Sequence, residues 1–224
     1  FVKAVCTPSC YQRNLGRKQL RYDGYHELAY LHPNQFTPDA SVLERAGLSP
    51  REPMALVRFV SWGAVHDVGE RGFRREEKIR LVRELEKHAR VFVVCEGDHD
   101  EVFAANRMPI GPEAIHHLLA FARLYVGEGA TMATEAGLLG TPSIYMSSLV
   151  GTMGNFAELM NRYDLVHAYR SADQTLTDAL RLIQDPEAKA RWAEKRQRLL
   201  ADKIDVTAWL VNLVQRFDRR AAQP

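Results

Sequence analysis

The sequence is short of several things, and each shortage removes a class of protein. Among its 224 residues cysteine occurs three times, as Cys6, Cys10 and Cys95. An odd, low count without paired CxxC motifs argues against a disulfide framework and a cysteine-built zinc site. Excess charge is also missing, with 30 basic residues against 28 acidic ones and a formal net charge of +2. Signs are interspersed, as in Arg71-Gly-Phe-Arg-Arg-Glu-Glu-Lys78, so we expect no nucleic-acid partner. No apolar run reaches the ~18–20 residues that span a bilayer, and no signal peptide opens the sequence. We therefore expect no transmembrane segment and a cytoplasmic location. His116 and His117 have no companion at metal-ligand spacing, so no metal is expected. Internal repeats and low-complexity stretches are absent as well.

What remains is the composition of an ordinary globular protein, 46% hydrophobic and 26% charged, long enough for one large domain or one and a half smaller ones. The first residue is Phe1. Phe1–Val5 reads as a strand with nothing before it, so we expect the later part of something longer. From Cys6 to Asp39 the pattern is irregular, a linker with one short helical turn.

Regularity begins after that. Ser41–Leu48 reads as a helix capped by Ser41, Met54–Val60 as an apolar strand, and Glu76–Ala89 as an amphipathic helix. Val91–Cys95, Leu124–Val126, Pro142–Met146 and Leu165–His167 read as further strands. Helices are expected at Ile115–Ala122, Thr131–Leu139, Phe156–Tyr163, Ala172–Gln184, Pro186–Lys203 and Val206–Phe217. Alternating apolar strands and amphipathic helices imply a doubly wound parallel α/β sheet of Rossmann-like type, with helices on both faces. Three segments are expected: residues 1–39, the end of a preceding domain plus a linker; 40–203, the Rossmann-like domain; and 204–224, a terminal crossover helix and tail.

In such sheets ligands sit beyond the carboxyl ends of the strands, so the loops there carry the candidates. The principal one is Gly127-Glu-Gly-Ala-Thr-Met-Ala-Thr-Glu135. Gly127 and Gly129 allow close backbone approach, while the amides of Ala130, Thr131 and Met132 open a helix whose dipole favours an anion. Glu135, one turn in, is placed to accept hydrogen bonds from a ribose. Spacing alone fits a plain strand-to-helix turn equally well. Ile115, starting the preceding helix, lies where a nucleobase can be read by backbone groups. The loop Ser61-Trp62-Gly63 leads to His66-Asp67, which can meet a phosphate or sugar hydroxyl and offers an acid or base, although an ordinary loop histidine explains His66 more simply. Glu96-Gly97 and Gly151-Thr152 end two more strands. An acidic turn explains the former more simply; a Thr-capped turn explains the latter equally well.

These residues carry a resemblance. The strand, Gly127–Glu135 loop, helix and Leu139-Gly-Thr-Pro-Ser143 resemble the donor-binding half of GT-B glycosyltransferases, including the lipid II-forming N-acetylglucosaminyl transferase, and the UDP-N-acetylglucosamine 2-epimerases. The whole chain is more similar to an uncharacterised glycosyltransferase-like family. The stretches that carry this are Thr7-Pro-Ser9, Tyr22–Pro33, Arg58–Gly63 with His66-Asp67, Gly129–Met132, Gly151–Gly154 and Asp202–Thr207. The resemblance implies the C-terminal half of a GT-B fold, with Gly129–Met132 on the diphosphate of a nucleotide-sugar, Glu135 on its ribose and Ile115 at uracil. It implies no metal or other cofactor, an N-terminal domain as the missing partner, and a chain that is catalytically incomplete by itself. An oligomer is compatible with it. The epimerases carry a His-Arg pair where this sequence has His66-Asp67. The leading expectation is a UDP-sugar-type glycosyltransferase half; an epimerase-like enzyme and a non-catalytic sugar-nucleotide binding module are the alternatives. In a protein carrying both halves, His66→Ala is expected to abolish turnover while donor binding by calorimetry persists; unchanged turnover would remove His66 from the chemistry.

Overall fold

The computed structural model describes residues 2–49, 51–60, 72–95, 100–148 and 154–221. The chain forms two compact units, Pro38–Arg196 and Phe1–Thr37 with Gln197–Pro224.

The larger unit carries α2 (Ser41–Arg45), β3 (Met54–Phe59), α3 (Arg75–Glu86), β4 (Arg90–Cys95), α4 (Ile115–Phe121) and β5 (Leu124–Gly127). It continues through α5 (Ala130–Leu138), β6 (Ser143–Met146), α6 (Gly154–Asn161), β7 (Val166–Tyr169), α7 (Ala172–Gln184) and the start of α8 (Ala188–Asp202). The five strands form one sheet in the order β4-β3-β5-β6-β7, and every pairing is parallel. β5 and β6 are buried along their whole length and β3 at all but one residue, as a parallel sheet covered on both faces requires. Right-handed crossovers put α3 on one face, because β4 lies to one side of β3, and α4, α5 and α6 on the other, because the chain then runs back across. The packing agrees: α3 touches α7, while α5 touches both α4 and α6.

The expected strands and helices of this unit are present, with ends displaced by up to three residues. One cap differs. Ser41 is the first helical residue of α2, and the Asp39 carboxylate takes both its amide (2.9 Å) and its hydroxyl (2.7 Å). The carboxylate two residues back does what a Ser cap would do.

The smaller unit corrects the irregular pattern read from Cys6 to Asp39. Its first strand, β1, is Val5–Pro8, and it pairs in parallel with β2 (Gln19–Tyr22) inside the stretch expected to be irregular. Gln19-Leu-Arg-Tyr22 alternates polar and apolar residues, but at four residues β2 is too short for the alternation to be read as a strand. Helix α1 (Leu28–Leu31) follows, where a helical turn was expected, and α9 (Val206–Ala221) completes the unit. Two of the sequence stretches noted above meet here. Lys203 Nζ reaches Asp23 Oδ1 at 2.7 Å and lies over the Tyr25 ring, the Ile204 amide donates to the Asp23 carbonyl, and the Thr207 hydroxyl donates to the Ala29 carbonyl. A Cβ on Gly24 would lie 2.6 Å from Val206 Cγ2. Tyr22–Pro33 and Asp202–Thr207 thus close on each other as an internal lock.

Lys189, from α8, donates to the carbonyls of Ala120 and Ala122 at the end of α4 and to the Thr141 hydroxyl. A cation suits that negative helix end. Burial nevertheless pushes its pKa down from 10.5 to about 7. Between those values the unfolded chain binds more protons than the folded one, so folding stability rises with pH across that window. Urea unfolding of the wild type from pH 7 to 10 is expected to show this rise, and Lys189→Met to flatten it.

Candidate functional site

In the order β4-β3-β5-β6-β7 the chain steps from β3 out to β4 and then returns to β5 on the far side of β3. The two crossovers leave in opposite directions, so a crevice opens beyond the carboxyl ends of β3 and β5. The loop Gly127–Gly129 lies at that point. Of the candidate loops of the sequence analysis, Gly127–Glu135 lies among the described residues, and it follows β5 at the carboxyl edge of the sheet.

Helix α5 starts at Ala130 with Gly129 as its N-cap, has no side-chain capping bond, and has no acidic residue in its first turn. The amides of Ala130, Thr131 and Met132 make up that turn, with Thr131 exposed and Met132 buried. The glycines serve packing. Neither Gly127 nor Gly129 has a positive φ. A Cβ on Gly127 would lie 2.4 Å from the Tyr125 hydroxyl and 2.9 Å from the Arg58 carbonyl, and one on Gly129 3.0 Å from Arg58 Nε. Their absent side chains make room for Tyr125 and Arg58 beneath the loop.

Tyr125 is wholly buried on β5 and donates to the Gly129 carbonyl at 3.3 Å. Burial raises its pKa, Arg58 opposes, and the charges of Glu135 and Glu128 push further upward. It therefore remains a neutral phenol, able to hold the backbone that enters α5. At the end of β4 the Cys95 thiol is likewise pushed up, by burial against the opposing pull of Lys78. A thiol raised in this way is a poor nucleophile near neutral pH.

Two carboxylates flank the α5 terminus, each with a basic side chain beside it. Glu135 is buried on α5, and its Oε1 lies 3.0 Å from Nε2 of His116 on α4. Ile115, half-buried, starts that same helix. Glu128 has a fully buried side chain 3.3 Å from Lys78 Nζ of α3, and accepts the amides of Val60 (2.8 Å) and Phe73 (2.6 Å). Gly127, Gly129, Ala130, Thr131, Met132 and Glu135 thus run from the end of β5 into α5, and Ile115 precedes the His116 that pairs with Glu135. Ser61, Trp62, Gly63, His66, Asp67, Glu96, Gly97, Gly151 and Thr152 lie outside the described residues. Among the described residues no group of three or more His, Cys, Asp and Glu is placed to hold a metal ion. No helix there is long and apolar enough to cross a membrane.

Sequence reasoning missed Glu128, Lys78, Arg58 and Tyr125. A glutamate between two glycines at a strand end was the available signal for the first. The pairing of His116 with Glu135 joins residues 19 apart on two helices, which spacing does not show.

No protein-family profile matches the sequence, and no curated protein does. Among solved structures the chain is similar to the glycosyltransferase VinC in complex with DTDP, at 16% identity over 82% of this chain and 45% of that one, TM-score 0.53. It is similar to CalG4, the calicheamicin glycosyltransferase, at 20% identity over 84% and 46%, TM-score 0.52. The Streptomyces sp. SF2575 glycosyltransferase SsfS6, complexed with thymidine diphosphate, gives 14% identity over 80% and 45%, TM-score 0.50. At such identities the likeness is one of fold: the five-stranded unit is the Rossmann-like half of a GT-B glycosyltransferase fold. The chain spans under half the length of each of the three.

Gly127→Ala tests the packing under the loop. Its methyl group has no room beside Tyr125 and Arg58, so denaturant unfolding is expected to show a loss of about 1–3 kcal/mol.

Proposed function

We propose that the carboxyl edge of the sheet at β3 and β5 holds the diphosphate of a nucleotide-linked sugar, as the donor half of a glycosyltransferase. The observation that carries the reading is the start of α5: a helix terminus with no side-chain cap and no acidic residue in its first turn, at the point where the strand order reverses. Anions are stabilised there by the first amides and the helix dipole. SsfS6 was solved complexed with thymidine diphosphate and VinC in complex with DTDP, which supports a nucleoside-diphosphate ligand here.

Under this reading the amides of Ala130, Thr131 and Met132 face the phosphate oxygens. Glu135 accepts from the ribose hydroxyls with its carboxylate held by His116, and the turn at Ile115 faces the base. When the bond between the anomeric carbon and the phosphate oxygen breaks, negative charge grows on the diphosphate. Preorganised amides at a helix start stabilise that charge more in the transition state than in the ground state. No metal is required for this contribution. The acceptor and its base belong to residues beyond this unit, so the chain by itself is proposed to bind the donor without completing transfer.

Titration calorimetry with uridine, UDP, GDP, dTDP and UDP-N-acetylglucosamine is expected to show binding that requires the diphosphate. Glu135→Ala should weaken it roughly tenfold or more, the loss of a charged hydrogen-bond acceptor. Absence of binding for every nucleotide would sink the reading.

A further inference from the structure

Glu128 is the residue between the two glycines of the loop, and its side chain is fully buried. Its own amide donates to the Arg58 carbonyl at 3.0 Å, which extends the pairing of β5 with β3. The carboxylate serves a second purpose. Oε2 accepts the Val60 amide at 2.8 Å, just after β3, and lies 3.3 Å from Lys78 Nζ. Oε1 accepts the Phe73 amide at 2.6 Å, just before α3. Phe73 is itself packed edge-on against Phe59 of β3, ring centroids 6.1 Å apart.

One carboxylate therefore binds the departure from β3 and the entry to α3. It sits two residues before the first amide of α5. Only a side chain with two acceptor oxygens and no donor matches two converging amides. A glutamine would offer one oxygen and turn an NH2 group toward the other N–H, and an aspartate is one carbon shorter. An unneutralised carboxylate beside an anion site would also repel its ligand; Lys78 balances it at 3.3 Å.

We propose that Glu128 is a positioning residue for the anion site at α5. By taking the amides of Val60 and Phe73 on its two oxygens it fixes the carboxyl ends of β3 and β5 and the start of α3 as one unit. In doing so it sets the backbone from which the α5 amides point. The consequence for ligand binding rests on the nucleotide-diphosphate reading; the clamp itself does not.

The test combines amide hydrogen exchange at Val60 and Phe73 with calorimetry of UDP on the wild type, Glu128→Gln and the double variant Glu128→Gln/Lys78→Met. The double variant removes the ammonium that Glu128→Gln leaves without its carboxylate, and so guards against simple unfolding. Exchange at both amides is expected to rise at least about tenfold in both variants, and UDP affinity to fall about tenfold, since loss of a charge-assisted hydrogen bond is worth on that order. The double variant should regain much of the wild-type Tm without regaining affinity. Unchanged exchange at both amides overturns the clamp. Raised exchange with unchanged UDP affinity overturns its link to the anion site, as does recovery of affinity together with Tm in the double variant. A wild type that binds no nucleotide defeats the functional reading instead, and the exchange arm still decides the clamp.

Discussion

Parallel strands cannot be joined by tight turns, so each step from one strand of this sheet to the next in sequence required a crossover, and each crossover had to cover a face. The middle strands are consequently buried on both sides, and all carboxyl ends point the same way. Backbone groups that leave a parallel strand have no partner of their own at that edge. They must be satisfied by loops, by helix starts or by side chains reaching across. Most of what is distinctive in the larger unit is a response to that edge.

The response has an electrostatic side. The edge at β3 and β5 carries two buried carboxylates, Glu128 and Glu135. Buried charges persist when paired and hydrogen-bonded. Lys78 lies 3.3 Å from the first and His116 3.0 Å from the second. Each pair reaches across from a different helix, so helix packing and charge balance are one constraint here. Lys78 balances the charge of Glu128, and His116 gives Glu135 a hydrogen-bond partner. A buried neutral tyrosine, Tyr125, ties the loop down from below.

The smaller unit follows a different logic. Its two-stranded parallel sheet is too small to bury much, and it is held by contacts between distant parts of the chain. Lys203 and Asp23 are 180 residues apart in sequence. Trp209 packs on Tyr22 with ring centroids 5.0 Å apart, and Asp205 accepts from Asn34 and Gln35. Stretches that stand out in the sequence need not be ligand sites; here two of them are a structural lock.

The sequence by itself determined the class of fold and the address of the candidate site. Apolar runs of strand length, alternating with amphipathic helices such as Arg75–Glu86, permit little except a parallel α/β sheet, because hydrophobic period is a local property. Gly127 to Glu135 was legible as a strand-to-helix turn for the same reason: glycines and a helix start leave a local mark. β2 was not legible, since four alternating residues are too short a run to stand out from the irregular stretch around them, and they acquire strand geometry by pairing with β1. The strand order, and with it the crevice between β3 and β5, was decided by tertiary structure alone. So were the partners of the carboxylates. Nothing local marks Glu128 as buried; Val60, Phe73 and Lys78, drawn from 50 to 68 residues away, converge on it only in the fold. Buried charge is stabilised only by groups brought from elsewhere in the chain, and that information exists only once the chain has folded.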